Sequence, residues 1–188
     1  MIKYVYPWAD KRPDGKCALA LGFFDGVHAA HRDLILTAKA EAEKRGLPLG
    51  IFTFTGNSQI KTNAKRLYSD GEKFEIFENL GADFVISACF DSIKSLSPED
   101  FVKGCLASDI GCALCVAGFN FRFGYRAAGD ADLLVKLMRE SGGDAVIEEE
   151  LKIDGKTVSA TEIRGLIESG DVKPAKALLG TPYFIEGT

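Results

Sequence analysis

Apolar runs of strand length alternate along this chain with stretches whose apolar residues recur at helical spacing. CALALGFF at 17–24 is the first such run, and a helix is expected from about Ala29 to Arg45. LPLGIFTF at 47–54 reads as the next strand. A helix from Asp70 to Leu80 follows, with Asp70 as N-cap, then the strand ADFVISACF at 82–90 and a helix introduced by SPED at 97–100. Pro98 suits a first helical turn, where its missing N–H leaves no gap in the ladder. CALCVAGF at 112–119 is a strand, GDADLLVKLMRE from Gly129 a helix, and DAVIEEELKI at 144–153 a strand or hairpin arm. TEIRGLIESG and KPAKALLG are two shorter helices near the end.

This β-α alternation predicts an α/β fold, a parallel sheet flanked by helices. Strands buried on both faces become almost continuously apolar, as these are, rather than alternating. Ligands in such open sheets bind beyond the carboxyl ends of the strands, so the strand-to-helix loops are where chemistry is expected.

Bulk properties narrow the picture further. The 188 residues suffice for one well-buried core, so 1–188 is expected to be a single domain, with 181–188 a tail or the stump of a linker. Hydrophobic residues at 46% and charged residues at 27% fit a soluble folded chain. A net charge of -4 argues against broad binding to nucleic acid, which requires a basic surface. No run is apolar and long enough to span a bilayer, and MIKYVYPWADKR lacks the order of a signal peptide. With five cysteines, an odd number, a reducing cytoplasmic location is expected. Cys112 and Cys115 have C-x-x-C spacing, but no second ligand pair accompanies them, and the strand-like CALCVAG favours a structural role over zinc or redox chemistry.

Three segments carry candidate chemistry. GFFDGVHAAH at 22–31 spans the end of the first strand and the start of the first helix, and holds the chain's two histidines, His28 and His31, at a helical separation. Gly22 and Gly26 allow a tight turn and close backbone approach. A helix N-terminus with imidazole donors suits phosphate oxygens, although two structural histidines are an equal reading of the spacing. KTVSATEIR at 156–164 puts Ser159, Thr161 and Arg164 at a late helix entrance, either as phosphate contacts or as an N-cap with Glu162 nearby. VAGFNFRFGYRAAGD at 116–130 interleaves Phe119, Phe121, Phe123 and Tyr125 with Asn120, Arg122 and Arg126; it is either a core-packing strand or a loop closing on a planar ligand.

Taken in order, these segments resemble one family, the FAD synthetase (FMN adenylyltransferase) module of bacterial bifunctional riboflavin kinase/FAD synthetases. GFFDGVHAAH is similar to the family's G-x-F-D-G-V-H-x-G-H, VAGFNFRFGYRAAGD to V-x-G-x-D/N-F-x-F-G-x-x-R-x-G-D, and VSATEIR to V-S-S-T-x-I-R. LLGTPYFIEG resembles the L-L-G-R-P-Y-x-I-x-G at the module's end. The resemblance covers almost the whole chain and implies a Rossmann-like nucleotidyltransferase fold of the H-x-G-H type.

It further implies that FMN phosphate attacks the α-phosphorus of ATP to give FAD and pyrophosphate, with His28, His31 and Arg164 as catalytic residues. Gly22, Phe23, Asp25, Gly26, Asn120, Ser159 and Thr161 would join them in binding ATP, and Phe54, Asn57, Phe121, Phe123 and Arg126 would hold the flavin. Mg²⁺ would neutralise the triphosphate, with Asn120 beside it. ATP and FMN are the partners implied; no obligate protein partner is evident. Three departures stand out: Ala30 replaces the glycine of H-x-G-H, Ala160 replaces the second serine of S-S-T, and Gly56, Asn57 and Ser58 stand where the family has F-x-P-H-P. The altered loop keeps open a related nucleotidyltransferase with another phosphate acceptor, or a flavin- or nucleotide-binding module whose catalysis has lapsed. The family's kinase module would begin just after Gly187, so the chain is either a natural single module or one cut at that boundary.

Overall fold

The computed structural model describes residues 1–7, 13–54 and 66–183. Its centre is a six-stranded sheet in the order β1-β4-β3-β2-β5-β6, formed by β1 (Ile2–Tyr6), β2 (Cys17–Leu21), β3 (Leu49–Phe54), β4 (Phe84–Ala88), β5 (Cys112–Gly118) and β6 (Asp144–Glu148). All five pairings are parallel. The chain steps outward from β2 through β3 to β4, then returns to the other side of β2 as β5. The strand order therefore reverses between β2 and β5, where an open parallel sheet leaves a crevice at its carboxyl edge.

Alternation along β2 assigns its two faces. Cys17, Leu19 and Leu21 meet one core, with the helix Asp100–Ile110 and α4 (Ala131–Glu140). Ala18 and Ala20 meet the other, where their small side chains admit Leu34, Ile35 and Ala38 of α1 (Ala29–Arg45). Ile76 and Phe77 of α2 (Asp70–Asn79), Ile163 of α5 (Ala160–Glu168) and Leu178 of α6 (Val172–Leu179) complete that second core. A short helix α3 (Phe90–Ile93) follows β4, and β7 (Lys152–Ile153) and β8 (Lys156–Thr157) form an antiparallel pair ahead of α5.

Most expected elements are present, with three differences. The strand β1 carries an exposed, mixed face, with Ile2 60% and Val5 46% exposed, so the continuous apolar signal of a central strand is missing. The cap of α2 is Ser69, not Asp70: its Oγ accepts from Glu72 N–H at 3.2 Å while the Glu72 carboxylate accepts from Ser69 N–H at 2.6 Å, a reciprocal capping box. After a first turn at residues 98–99, Asp100–Ile110 is wound as a π-helix, wider than the α-helix expected from its apolar spacing.

Cys112 and Cys115 lie buried in β5, and burial pushes the Cys112 thiol well up, away from the reactive thiolate. Among the described residues no three His, Cys, Asp or Glu side chains converge as a metal site, and no helix is long and apolar enough to cross a membrane.

Candidate active site

The loop leaving β2 is folded against its own preference. Phe24 (φ 53°), Gly26 (φ 77°) and Val27 (φ 35°) all lie in the left-handed region. For side-chain-bearing residues such backbone costs about 1–3 kcal/mol each and persists only where surrounding contacts impose it. Those contacts are identifiable. The Phe24 ring is fully buried and sits beneath Gly22, where a Cβ would fall 2.9 Å from it. Gly26 lies over Leu67, whose Cδ1 would be 2.4 Å from a Cβ. The Phe23 carbonyl accepts from Thr53 Oγ1 at 3.1 Å and from Lys73 Nζ at 3.4 Å, both side chains being buried.

Asp25 ties this loop to the far end of the chain. Its Oδ1 accepts from Leu67 N–H at 3.3 Å and its Oδ2 from Arg164 Nη1 at 2.6 Å, while Arg164 Nη2 donates to Thr161 Oγ1 at 3.3 Å. Leu67 is held from the other side as well, its carbonyl accepting from Tyr183 O–H at 3.2 Å. The start of the expected tail thus packs back on the site: Arg32, next to His31, donates to Thr181 Oγ1 at 3.2 Å.

The two histidines occupy the α1 entrance in different roles. His28 is the N-cap, and its Nδ1 accepts from His31 N–H at 3.4 Å. That bond assigns the proton of neutral His28 to Nε2. The rings stack with centroids 3.6 Å apart and planes 13° apart, and the Phe24 ring meets His31 edge-on at 5.2 Å. Burial pushes the His28 pKa down to about 4, against a smaller opposing pull from Asp25. Burial pushes His31 well down also, helped by its coupling to His28, whose protonation would oppose its own, and by the charge of Lys73. Both rings are therefore neutral hydrogen-bonding groups near neutral pH.

They face a pocket of about 430 Å³ at the β2/β5 crevice. Gly22, Phe23, Asp25, Ala30, Asn120 and Ser159 share its wall with the histidines. A second chamber of about 840 Å³ adjoins it, and Phe23, Phe54, Phe121 and Arg122 line both. The second chamber is aromatic: Phe23 and Phe54 stack at 6.4 Å, Phe54 meets Phe90 at 5.8 Å, and Phe121 stacks on Phe123 at 5.7 Å.

Sequence-predicted residues thus fall into groups. His28, His31, Gly22, Phe23, Asp25, Asn120, Ser159, Phe54 and Phe121 share the first pocket. Phe123 and Arg126 line the aromatic chamber, although Phe123 is also a core residue packed over Gly129 and against Phe101. Gly26, Thr161 and Arg164 lie off the wall, linked to it through Asp25. Ser159 is both lining and N-cap, its Oγ accepting from Glu162 N–H at 3.3 Å. Asn57 lies outside the described residues. Thr53, Lys73 and Leu67 went unnoticed, because a threonine in an apolar strand, a lysine on a mixed helix and an isolated leucine carry no signal of a polar clamp.

Fold and cleft define a Rossmann-like α/β protein whose candidate site sits at the topological switch point. A family model described as FAD synthetase matches residues 10–162, and the chain belongs to that family. It is 32% identical over 183 residues to the bifunctional riboflavin kinase/FMN adenylyltransferase of Bacillus subtilis, covering 94% of this chain and 57% of that protein. The Escherichia coli K12 protein of the same name is 31% identical over 180 residues, covering 93% and 58%. FAD synthetase 1, chloroplastic, of Arabidopsis thaliana is 32% identical over 195 residues, covering 89% and 52%. The chain spans little more than half the length of these relatives. A crystal structure described as a macrolide-efflux protein from Streptococcus pneumoniae matches with a TM-score of 0.85 at 24% identity, covering all of this chain and 64% of that one, which speaks for the fold alone.

Proposed function

We propose that the protein adenylylates FMN, transferring AMP from ATP to the FMN phosphate with release of pyrophosphate. The observation that carries this reading is the continuity of two unlike chambers. A polar pocket with two imidazoles and a helix N-terminus opens, past Phe23, Phe54 and Phe121, into an aromatic one of a size for a tricyclic ring. Its family membership and its FMN adenylyltransferase relatives support the same assignment.

ATP binds in the first pocket with its phosphates over the α1 entrance, where unpaired N–H groups and the helix dipole favour anions. The isoalloxazine of FMN binds among Phe54, Phe90 and Phe121, directing its phosphate back toward the histidines. One FMN phosphate oxygen attacks the α-phosphorus, a P–O bond forms, the α,β bridging bond breaks and its electron pair leaves on pyrophosphate. No covalent enzyme intermediate is needed, so positioning and charge stabilisation supply the rate. His28, donating from Nε2, and His31 donate hydrogen bonds to phosphoryl oxygens as charge shifts onto them. Arg164, held by Asp25 and Thr161, adds positive charge behind the loop.

Mg²⁺ bound to ATP would neutralise phosphate charge and orient the triphosphate. The donor set fits an ion carried on the nucleotide: among the described residues no cage of three ligands exists, and Asn120 offers an exposed carboxamide oxygen at the pocket wall. We further propose a cytoplasmic setting, supported by five free cysteines.

Incubating the protein with ATP, FMN and Mg²⁺ should yield FAD and pyrophosphate in equal amounts. FMN and ATP binding by calorimetry with no FAD formed would replace this reading with a lapsed binding module. Pyrophosphate release with another phosphate acceptor but not FMN would redirect it to a related transferase.

A further inference from the structure

Behind the strained loop lies a cation that is poorly matched within the protein. Lys73, on α2, is 4% exposed. Its Nζ is 3.4 Å from the Phe23 carbonyl, 5.7 Å from the centroid of the Phe23 ring and 3.9 Å from Asp70 Oδ1. Asp70 is held more closely by Arg66, at 3.2 Å. The other nearby carboxylate, Asp25, is taken by Arg164 at 2.6 Å. Among the described residues Arg66, Lys73 and Arg164 share the carboxylates of Asp25 and Asp70, and Lys73 lies farthest of the three from its carboxylate.

An isolated buried ammonium is costly, and apolar replacement of such a group is often neutral or stabilising. Here burial lowers the Lys73 pKa, and its charge reaches the histidine site, where it helps hold His31 neutral. The carbonyl it grips belongs to Phe23, a wall of the nucleotide pocket.

We infer that Lys73 is a positioning and charging residue for the polyphosphate subsite: it fixes the Phe23–Asp25 loop from behind and supplies a desolvated positive charge that the triphosphate of the bound nucleotide balances. This rests on the reading of the first pocket as the ATP site. Water-poor surroundings let the charge act through the loop with little screening, whereas a surface lysine would be screened by salt. A lysine serving only the apoprotein's packing would have no such preference for a polyanion.

The test is calorimetric titration of inorganic pyrophosphate, without turnover, into the wild type, Lys73→Met and Lys73→Arg, alongside thermal unfolding of each and KM for ATP and FMN. Lys73→Met should unfold at an equal or higher temperature than the wild type, yet bind pyrophosphate about tenfold more weakly. Its KM for ATP should rise by a similar factor while that for FMN stays within about twofold. Lys73→Arg, which keeps the charge, should bind pyrophosphate more tightly than Lys73→Met and within about threefold of the wild type; where Lys73→Met fails to fold, a loss of about tenfold in a folded Lys73→Arg overturns the inference. Equal pyrophosphate affinity in the wild type and a folded Lys73→Met, or equal affinity loss in Lys73→Arg and Lys73→Met, overturns the inference. A wild type that binds neither pyrophosphate nor ATP overturns the ATP-site reading itself.

Discussion

The neutral state of His28 makes the fold sensitive to acid in a way that one substitution can isolate. Its pKa falls from an ordinary 6.5 to about 4 on burial. The unfolded chain therefore takes up a proton below pH 6.5 that the native state refuses until near pH 4, so stability is full above that window and declines as pH falls through it. From those two values His28 alone withdraws about 2 kcal/mol between pH 7.5 and pH 5, reaching a limit of about 3 kcal/mol below pH 4. His28 is 6% exposed, so solvent screening reduces this little. His28→Asn keeps an acceptor for His31 N–H at the cap but cannot titrate. Urea unfolding of both proteins at pH 7.5, 6 and 5 measures the effect, and carboxylate titrations common to both cancel in the difference. The variant should lose about 2 kcal/mol less than the wild type over this range, and saturating pyrophosphate, which favours the protonated ring, should narrow the gap. Parallel pH dependences for the two proteins would refute the burial-driven shift and with it the neutral donor.

Other changes probe the surrounding parts. Asp25→Asn leaves Arg164 without its counter-ion, and because the pair is 17–20% exposed the expected loss is about 1–2 kcal/mol of stability, together with a raised KM for ATP, read by urea unfolding and steady-state kinetics. Gly26→Ala forces a side chain into left-handed backbone against Leu67; a fall of about 2–3 kcal/mol is expected in the same unfolding assay. Phe54→Ala removes an aromatic wall shared by both chambers and should raise KM for FMN about tenfold, with a smaller change for ATP. His31→Ala should lower kcat about 10²-fold or more in FAD formation, as expected for a donor aimed at developing charge.

The central strands and α1 were legible because burial on both sheet faces leaves an unbroken apolar run, and because α1 presents Leu34, Ile35, Ala38 and Ala42 at helical spacing. The edge strand β1 was not, since three of its five residues are exposed and only Tyr6 is buried. The capping box at Ser69 was readable in its S-x-x-E spacing, but Asp70 is equally a capping residue type and attracted the assignment. In the site, glycines and histidines close in sequence were visible together. The Asp25–Arg164 pair joins residues 139 apart, and only the sheet's return from β4 to β5 brings them into contact. Nothing in the sequence marks Lys73, whose burial depends on how α2 lies against the β2 loop.

The stacking of His28 on His31 has an arithmetical side. Two imidazolium charges 3.6 Å apart would repel by roughly 5 kcal/mol even in a polarisable interior, so the pair can hold one proton but not two. It is a single-seat proton store: a proton taken by His31 leaves the capping bond to His28 Nδ1 intact, whereas one taken by His28 occupies Nδ1 and ends it. The rest of the positive charge facing the nucleotide must then come from outside the pair, which gives a physical reason for the chain to keep cations on the far side of the loop.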